Sequence, residues 1–149
     1  MSVKFTEENK HLEFYVLGYE FPEKGKKDDA YDANWLVVQI DYSDDQLTFS
    51  EKDTCLLSFE LQDLTESIDD VLVGKETGLL MTFMEPYLTF AITQVGEVYA
   101  VQIRFVYDTS DGLWKDVYIS QGMTLDELTN MNNSFKDLYK TYPYRETEK

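Results

Sequence analysis

Cysteine and histidine are almost missing from this sequence of 149 residues, where Cys55 and His11 stand alone. A single cysteine closes no internal disulfide, which fits a reducing cytoplasm. One His and one Cys, far apart, cannot supply the several ligands at close spacing that a zinc-type site needs. Proline occurs only at Pro22, Pro86 and Pro143, and the seven glycines are scattered. There is accordingly no Pro- or Gly-rich linker, and neither GxxxxGK[ST] nor GxGxxG is present to cradle phosphate. No apolar run approaches the ~20 residues of a membrane-spanning helix. The stretch Met1 to Glu8 lacks the apolar segment and small-residue cleavage site of a secretory signal. Basic residues are scarce, 13 Lys and Arg against 29 Asp and Glu, for a formal net charge of −16. Nucleic-acid phosphate and anionic membranes both demand cations, so neither is an expected partner.

Apolar mass is plentiful: hydrophobic residues make up 43% and aromatics 15%. A length near the common domain size of roughly 100–150 residues points to one domain, 1–149, with mobile tails at 1–10 and 145–149. Period-two alternation, the mark of half-buried strands, dominates. It runs through His11–Glu20, Asn34–Tyr42, Thr54–Leu61, Leu79–Met84, Tyr87–Thr93, Val98–Tyr107 and Asp116–Ser120, with a shorter piece at Thr48–Ser50. Val95-Gly96-Glu97 reads as a hairpin turn, and Asp108–Gly112 as a polar loop.

Two segments switch to helical spacing. Leu64, Ile68, Val71 and Leu72 share one face, with Asp63 as cap and Gly74 at the stop. Thr124 and Glu127 form a capping-box pattern ahead of Leu128, Met131, Phe135, Leu138 and Tyr142. Each has one apolar stripe, so each should lie against a sheet. The short connections between strands require antiparallel pairing. The expected class is α+β: an antiparallel β-sheet, curved or folded into a two-layer sandwich, with two helices packed on it.

Chemistry is hard to find. Cys55 alternates with Leu57, Phe59 and Leu61 and reads as a small buried hydrophobe. His11 has no partner in the sequence with which to form a nucleophile, base and orienting group. No Asp-x-Asp-x-Asp-Gly spacing suggests calcium. A non-catalytic protein without metal or cofactor is expected. What stands out is acidity. Solubility needs a net charge of only roughly 2–8 in magnitude. The surplus suits a cationic protein partner, whose capture long-range attraction would accelerate. Candidate contacts are Asp28 and Asp29, then Asp44, Asp45, Glu51 and Asp53, and on the first long helix Glu66, Asp69 and Asp70.

Four strings are more specific than composition. Val16-Leu17-Gly18-Tyr19-Glu20-Phe21-Pro22 and Tyr31-Asp32-Ala33-Asn34-Trp35-Leu36-Val37-Val38 come first. Asp53-Thr54-Cys55-Leu56-Leu57-Ser58-Phe59-Glu60-Leu61 and Leu80-Met81-Thr82-Phe83-Met84-Glu85-Pro86-Tyr87-Leu88-Thr89-Phe90 follow. In this order they resemble the WapI-type family of bacterial immunity proteins. Thr54 stands where that family tends to carry Pro, and Tyr87 where Asn is usual. The resemblance implies a cytoplasmic protein that binds the C-terminal toxin domain, often a nuclease, of a large polymorphic secreted toxin. It implies no catalytic residues.

Within the strings, Asp32, Asn34, Trp35, Glu85 and Pro86 read as structural. Asp32 and Asn34 can bond nearby backbone N–H groups at a strand start, Trp35 should bury its ring, and Glu85-Pro86 should make a tight connection. The expected mechanism is occlusion of a basic active site by carboxylates, anchored by aromatics such as Tyr15, Tyr19, Tyr42 or Tyr118. A monomer or weak homodimer is expected. The alternative is a small-ligand or carbohydrate-binding β-domain with a pocket lined by Trp35, Tyr and carboxylates.

Overall fold

The computed structural model describes residues 2–23, 29–109 and 111–146. Among these residues eight strands form two antiparallel sheets of four. The first holds β1 (Ser2–Glu7), β2 (Lys10–Tyr19), β3 (Trp35–Ser43) and β4 (Thr48–Leu57) in chain order. The second holds β5 (Gly78–Thr82), β6 (Leu88–Val95), β7 (Val98–Asp108) and β8 (Trp114–Met123), again in chain order. Three helices complete the α+β fold: α1 (Ala30–Asn34), α2 (Ser58–Leu72) and α3 (Leu125–Thr141). The single curved sheet considered from sequence is thus two sheets, and the short α1 is additional.

Alternation explains the sheets. Val3, Phe5, Leu12, Phe14, Val16, Leu36, Val38 and Ile40 are buried on one, and Phe90, Ile92, Val101, Ile103, Phe105 and Ile119 on the other. All belong to one hydrophobic core. The ring of Phe5 meets Phe90 edge-on at 6.1 Å, and Phe135 of α3 touches both Phe14 (5.9 Å) and Phe90 (5.8 Å). At the other edge Phe49 of β4 stacks on Tyr107 of β7 at 4.4 Å. Strands β1 and β8 are joined by side chains: Gln121 Oε1 accepts from Thr6 N–H, and Glu7 Oε1 from Ser120 N–H, both at 2.9 Å. Gly96, at φ 62°, makes the tight turn between β6 and β7, where Val95 pairs with Val98.

Several expectations need correction. Residues 2–10 are not a tail, because β1 pairs with β2 along its whole length and buries Val3 and Phe5. Arg145 is anchored by hydrogen bonds to Ala33, Pro22 and Phe21 carbonyls. The strand expected over Thr54–Leu61 ends at Leu57, and α2 begins at Ser58, ahead of the Asp63 cap. Leu57, Leu61, Leu64 and Ile68 fit helical spacing as well as Leu57 and Leu61 fit alternation, and a register shift in β4 near Cys55 decides between them. Thr124 and Glu127 do form the reciprocal cap of α3.

Candidate partner-binding surface

The four strings meet at the N-terminal end of α2. Asn34, fully buried, accepts hydrogen bonds at Oδ1 from Ser58 Oγ (2.7 Å) and from Arg145 N–H (2.8 Å). Its Nδ2 donates to Ala30 O and Arg145 O. Asn34 therefore ties α1, α2 and the C-terminal segment together rather than bonding neighbouring N–H groups. The Arg145 guanidinium lies 3.7 Å over the Tyr19 ring. Tyr31 and Tyr144 both meet Phe59 edge-on at 6.0 Å. The cap of α1 is Asp29, which accepts from Tyr31 N–H and Asp32 N–H, while Asp32 itself is exposed. Trp35 is half-buried at the start of β3, not enclosed in the core.

Glu60 links two of the strings. One carboxylate oxygen accepts from Leu57 N–H at 3.0 Å, and the other from Met84 N–H at 2.8 Å, fastening the β5–β6 connection to α2. That connection holds Glu85, half-buried, and the exposed Pro86. Around it runs an acidic seam. Burial raises the Asp53 carboxyl above its ordinary value, and the Glu85 charge adds to this. Burial likewise raises Glu60, against the two backbone N–H groups that lower it, with Asp63 and Glu85 pushing the same way as burial. Among the described residues, no cation is a neighbour that shifts either group. The Cys55 thiol, fully buried, is pushed up to about 12 by burial and then by Asp53, Glu60 and Glu85, so it is an unreactive thiol rather than a nucleophile. Further along the same edge Glu51 is half-buried beside Tyr107, whose hydroxyl is raised by burial and by Asp116, Asp44 and Glu51.

The other expected acidic contacts are spread out. Asp28 lies outside the described residues. Asp44 closes the β3–β4 turn, accepting from Gln46 and Leu47 N–H (both 2.8 Å) and from Tyr42 Oη, and its carboxyl is lowered chiefly by Tyr42. Asp45 is exposed beside it. Asp69 pairs with Lys136 at 2.8 Å and accepts from Asn132, so it joins α2 to α3. Asp70 O accepts from Lys75 and Glu76 N–H, and Glu66 is exposed next to Gln62. Of the expected contacts, the structure sets Asp53 in the seam with Glu60 and Glu85, whereas Glu51 lies beside Tyr107. Sequence reading did not class Glu60 as a site residue, although it sits inside a quoted string. Of the expected aromatic anchors, Tyr42 is buried and Tyr19 donates to Pro143 O, whereas Tyr118 is 41% exposed.

Enclosed space is small. A cavity of about 10 Å³ sits among Phe14, Leu61, Phe90 and Phe135. The larger depression, about 630 Å³, opens on the polar outer side of the first sheet beside Lys4, His11, Glu13, Asp41 and Ser50, and Trp35 does not line it. Among the described residues no group of three or more His, Cys, Asp or Glu could hold a metal ion, and no helix is long and apolar enough to cross a membrane.

No curated protein matches the chain. The immunity protein WapI-like family matches residues 4–143, from β1 to the end of α3, and so spans every string that meets at α2. The chain belongs to the WapI-like immunity protein family.

Proposed function

We propose that this protein neutralises a cognate toxin by stoichiometric binding, without catalysis, in the cytoplasm of the cell that makes the toxin. The partner is the C-terminal domain of a polymorphic secreted toxin, with a basic surface of the kind a nuclease uses to grip phosphate. Family membership supports the immunity role. The observation that carries the basic partner is the seam of Asp53, Glu60 and Glu85, where burial and like charge raise Asp53 and Glu60 and, among the described residues, none of the groups shifting them is a cation. A Lys or Arg from outside would relieve that repulsion and lower both carboxyls. The strings themselves build the junction that holds α2, and the acidic positions around it meet the toxin.

The experiment is co-expression with the C-terminal domain of the large secreted protein encoded immediately upstream. Growth should be rescued, and the two chains should co-elute as one complex. The association rate should fall steeply between low and physiological salt, because steering is screened over roughly 8–10 Å. Failure to rescue growth and to form a complex at micromolar concentration and low salt rejects the immunity reading. Binding with a salt-independent rate rejects the basic partner.

A further inference from the structure

The outward side of the second sheet carries almost no charge, although the chain has a net charge of −16. Pairing fixes its rows. Leu80, Ala91, Gln102 and Ser120 lie side by side, next to Thr82, Thr89, Arg104 and Tyr118. Gly78, Thr93, Ala100 and Gly122 form a third row. Arg104 pairs with Asp116 at 2.6 Å, so the two cancel. Leu80 is 74% exposed, Val95 65% and Trp114 57%. Trp114 stacks on Tyr87 at 5.5 Å and 4°, one residue beyond the Glu85-Pro86 connection of the seam.

Leu80, Val95, Trp114 and Tyr118 left open in water among small, uncharged side chains are an aggregation hazard, and such a patch rimmed by charge marks a protein contact. The rim here is net acidic: Glu85, Asp108 and Asp111 at one end, where Lys115 lies near Asp111, and Glu97 at the other. On the β8 side Lys10 is balanced by Glu7 at 3.9 Å.

We propose that this outward face of β5–β8 is the docking surface for a protein domain that presents an apolar patch inside a basic rim, with Leu80, Tyr118 and the Trp114–Tyr87 stack as anchors. It rests on the immunity reading, in which that domain is the toxin's. Size decides the occupant. Four strands spaced ~4.8 Å apart and rising ~3.3 Å per residue give roughly 500–600 Å² of face. A standard interface needs about 800 Å² per partner. The footprint therefore includes the rim, and a second copy would set carboxylates against carboxylates where a basic partner sets Lys and Arg.

The test uses the full chain and the upstream-encoded C-terminal domain in a calorimetric titration. Leu80→Glu and Tyr118→Glu place charge on the proposed face, and Thr6→Glu and Thr48→Glu place the same charge on the outward side of the first sheet. The four variants have the same net charge, so long-range attraction is matched. Leu80→Ser and Tyr118→Ala repeat the test without added charge should a Glu variant lose its wild-type circular dichroism. The proposed face predicts a loss of about 30-fold or more for Leu80→Glu and Tyr118→Glu, with the first-sheet variants within about threefold of wild type. Second-sheet variants that stay within about threefold of a binding wild type overturn the face and leave immunity standing. A homodimer of the isolated chain that Leu80→Glu dissociates overturns the occupant. A wild-type chain that does not bind the toxin domain overturns both the immunity reading and this face.

Discussion

The two sheets share one connectivity, four antiparallel strands in chain order, but they meet water in opposite ways. On the first, charge is kept and bonded internally. Glu13 and Asp41 are direct cross-strand neighbours, a repulsive placement, yet Glu13 accepts from Ser2 Oγ at 2.6 Å. Asp41 accepts from Ser50 Oγ at 2.6 Å and from Gln39 Nε2 at 2.9 Å. Glu13 is lowered, chiefly by Ser2, while the Tyr15 hydroxyl beside it rises to about 12 through its bond to Glu13. On the second sheet charge is scarce: small and uncharged side chains flank one neutralised Arg104–Asp116 pair. The first face is complete in water. The second leaves Leu80, Val95 and Trp114 open to water. In the proposed complex, acidity draws a cationic partner near while the uncharged face supplies the area that excludes water.

The sharpest way to break the comparison is to ask whether two faces so different outside share one interior. Phe90 is almost fully buried and touches Phe5 of the other sheet and Phe135 of α3. Phe90→Ala should cost about 3–5 kcal/mol, lowering the melting midpoint by about 10 °C. The two tryptophans report the sheets separately, Trp35 in β3 and Trp114 in β8. In the single-tryptophan backgrounds Trp35→Phe and Trp114→Phe, fluorescence should give one coincident urea transition before and after the Phe90 change. Two separated transitions would mean that each sheet is its own unit.

A smaller effect is expected at the junction on the first sheet's side. Asn34→Ala leaves the Ser58 hydroxyl and the Arg145 N–H without their acceptor, which should cost about 2–3 kcal/mol. Arg145→Ala removes the donors to Ala33, Pro22 and Phe21. Both act on one network, so the double variant should be more stable than the two single losses predict by about 1 kcal/mol or more. Additive losses in a urea-unfolding cycle would show that the two residues act separately.

Alternation and capping made most of this fold legible. Thr124 and Glu127 announced α3, and Leu128, Met131, Phe135 and Leu138 are its buried stripe. The start of α2 was not legible, because Leu57 and Leu61 satisfy both periods and only the register shift in β4 separates them. Sequence reading also missed β1, although Val3 and Phe5 alternate and Glu8-Asn9, with Glu8 at φ 52°, close the hairpin that pairs β1 with β2. For the surface, composition revealed acidity but could not sort the acids. Asp29 and Asp44 accept local N–H groups, and Asp69 pairs with Lys136 from the next helix, whereas Asp53 converges on Glu85 only through folding. The uncharged face was equally hidden. Leu80 comes from β5 and Trp114 and Tyr118 from β8, and only register across β6 and β7 puts them on one side.

The smallest expected effect separates carboxylates by environment, and its sign differs between the two sites. Asp53 is raised above its ordinary 3.8 by burial and by Glu85, so the folded chain holds that proton more tightly than the unfolded chain. Ionising it therefore destabilises the fold: the penalty is absent below the unfolded pKa, grows as pH rises through the folded one and is fully present at pH 7. Asp53→Asn should raise the melting midpoint at pH 7 by a few degrees, and the gain should vanish toward pH 3. Asp41→Asn is the matched change on the outward face. There the amide is a weaker acceptor than the carboxylate for Ser50 and Gln39, so the midpoint at pH 7 should fall slightly or stay level. Thermal melts of both variants from pH 3 to pH 7 decide the matter. A midpoint for Asp53→Asn at or below wild type at pH 7 would mean that the seam is already neutralised within the chain, and the attraction assigned to it would have to come from the rim acids of the second sheet instead.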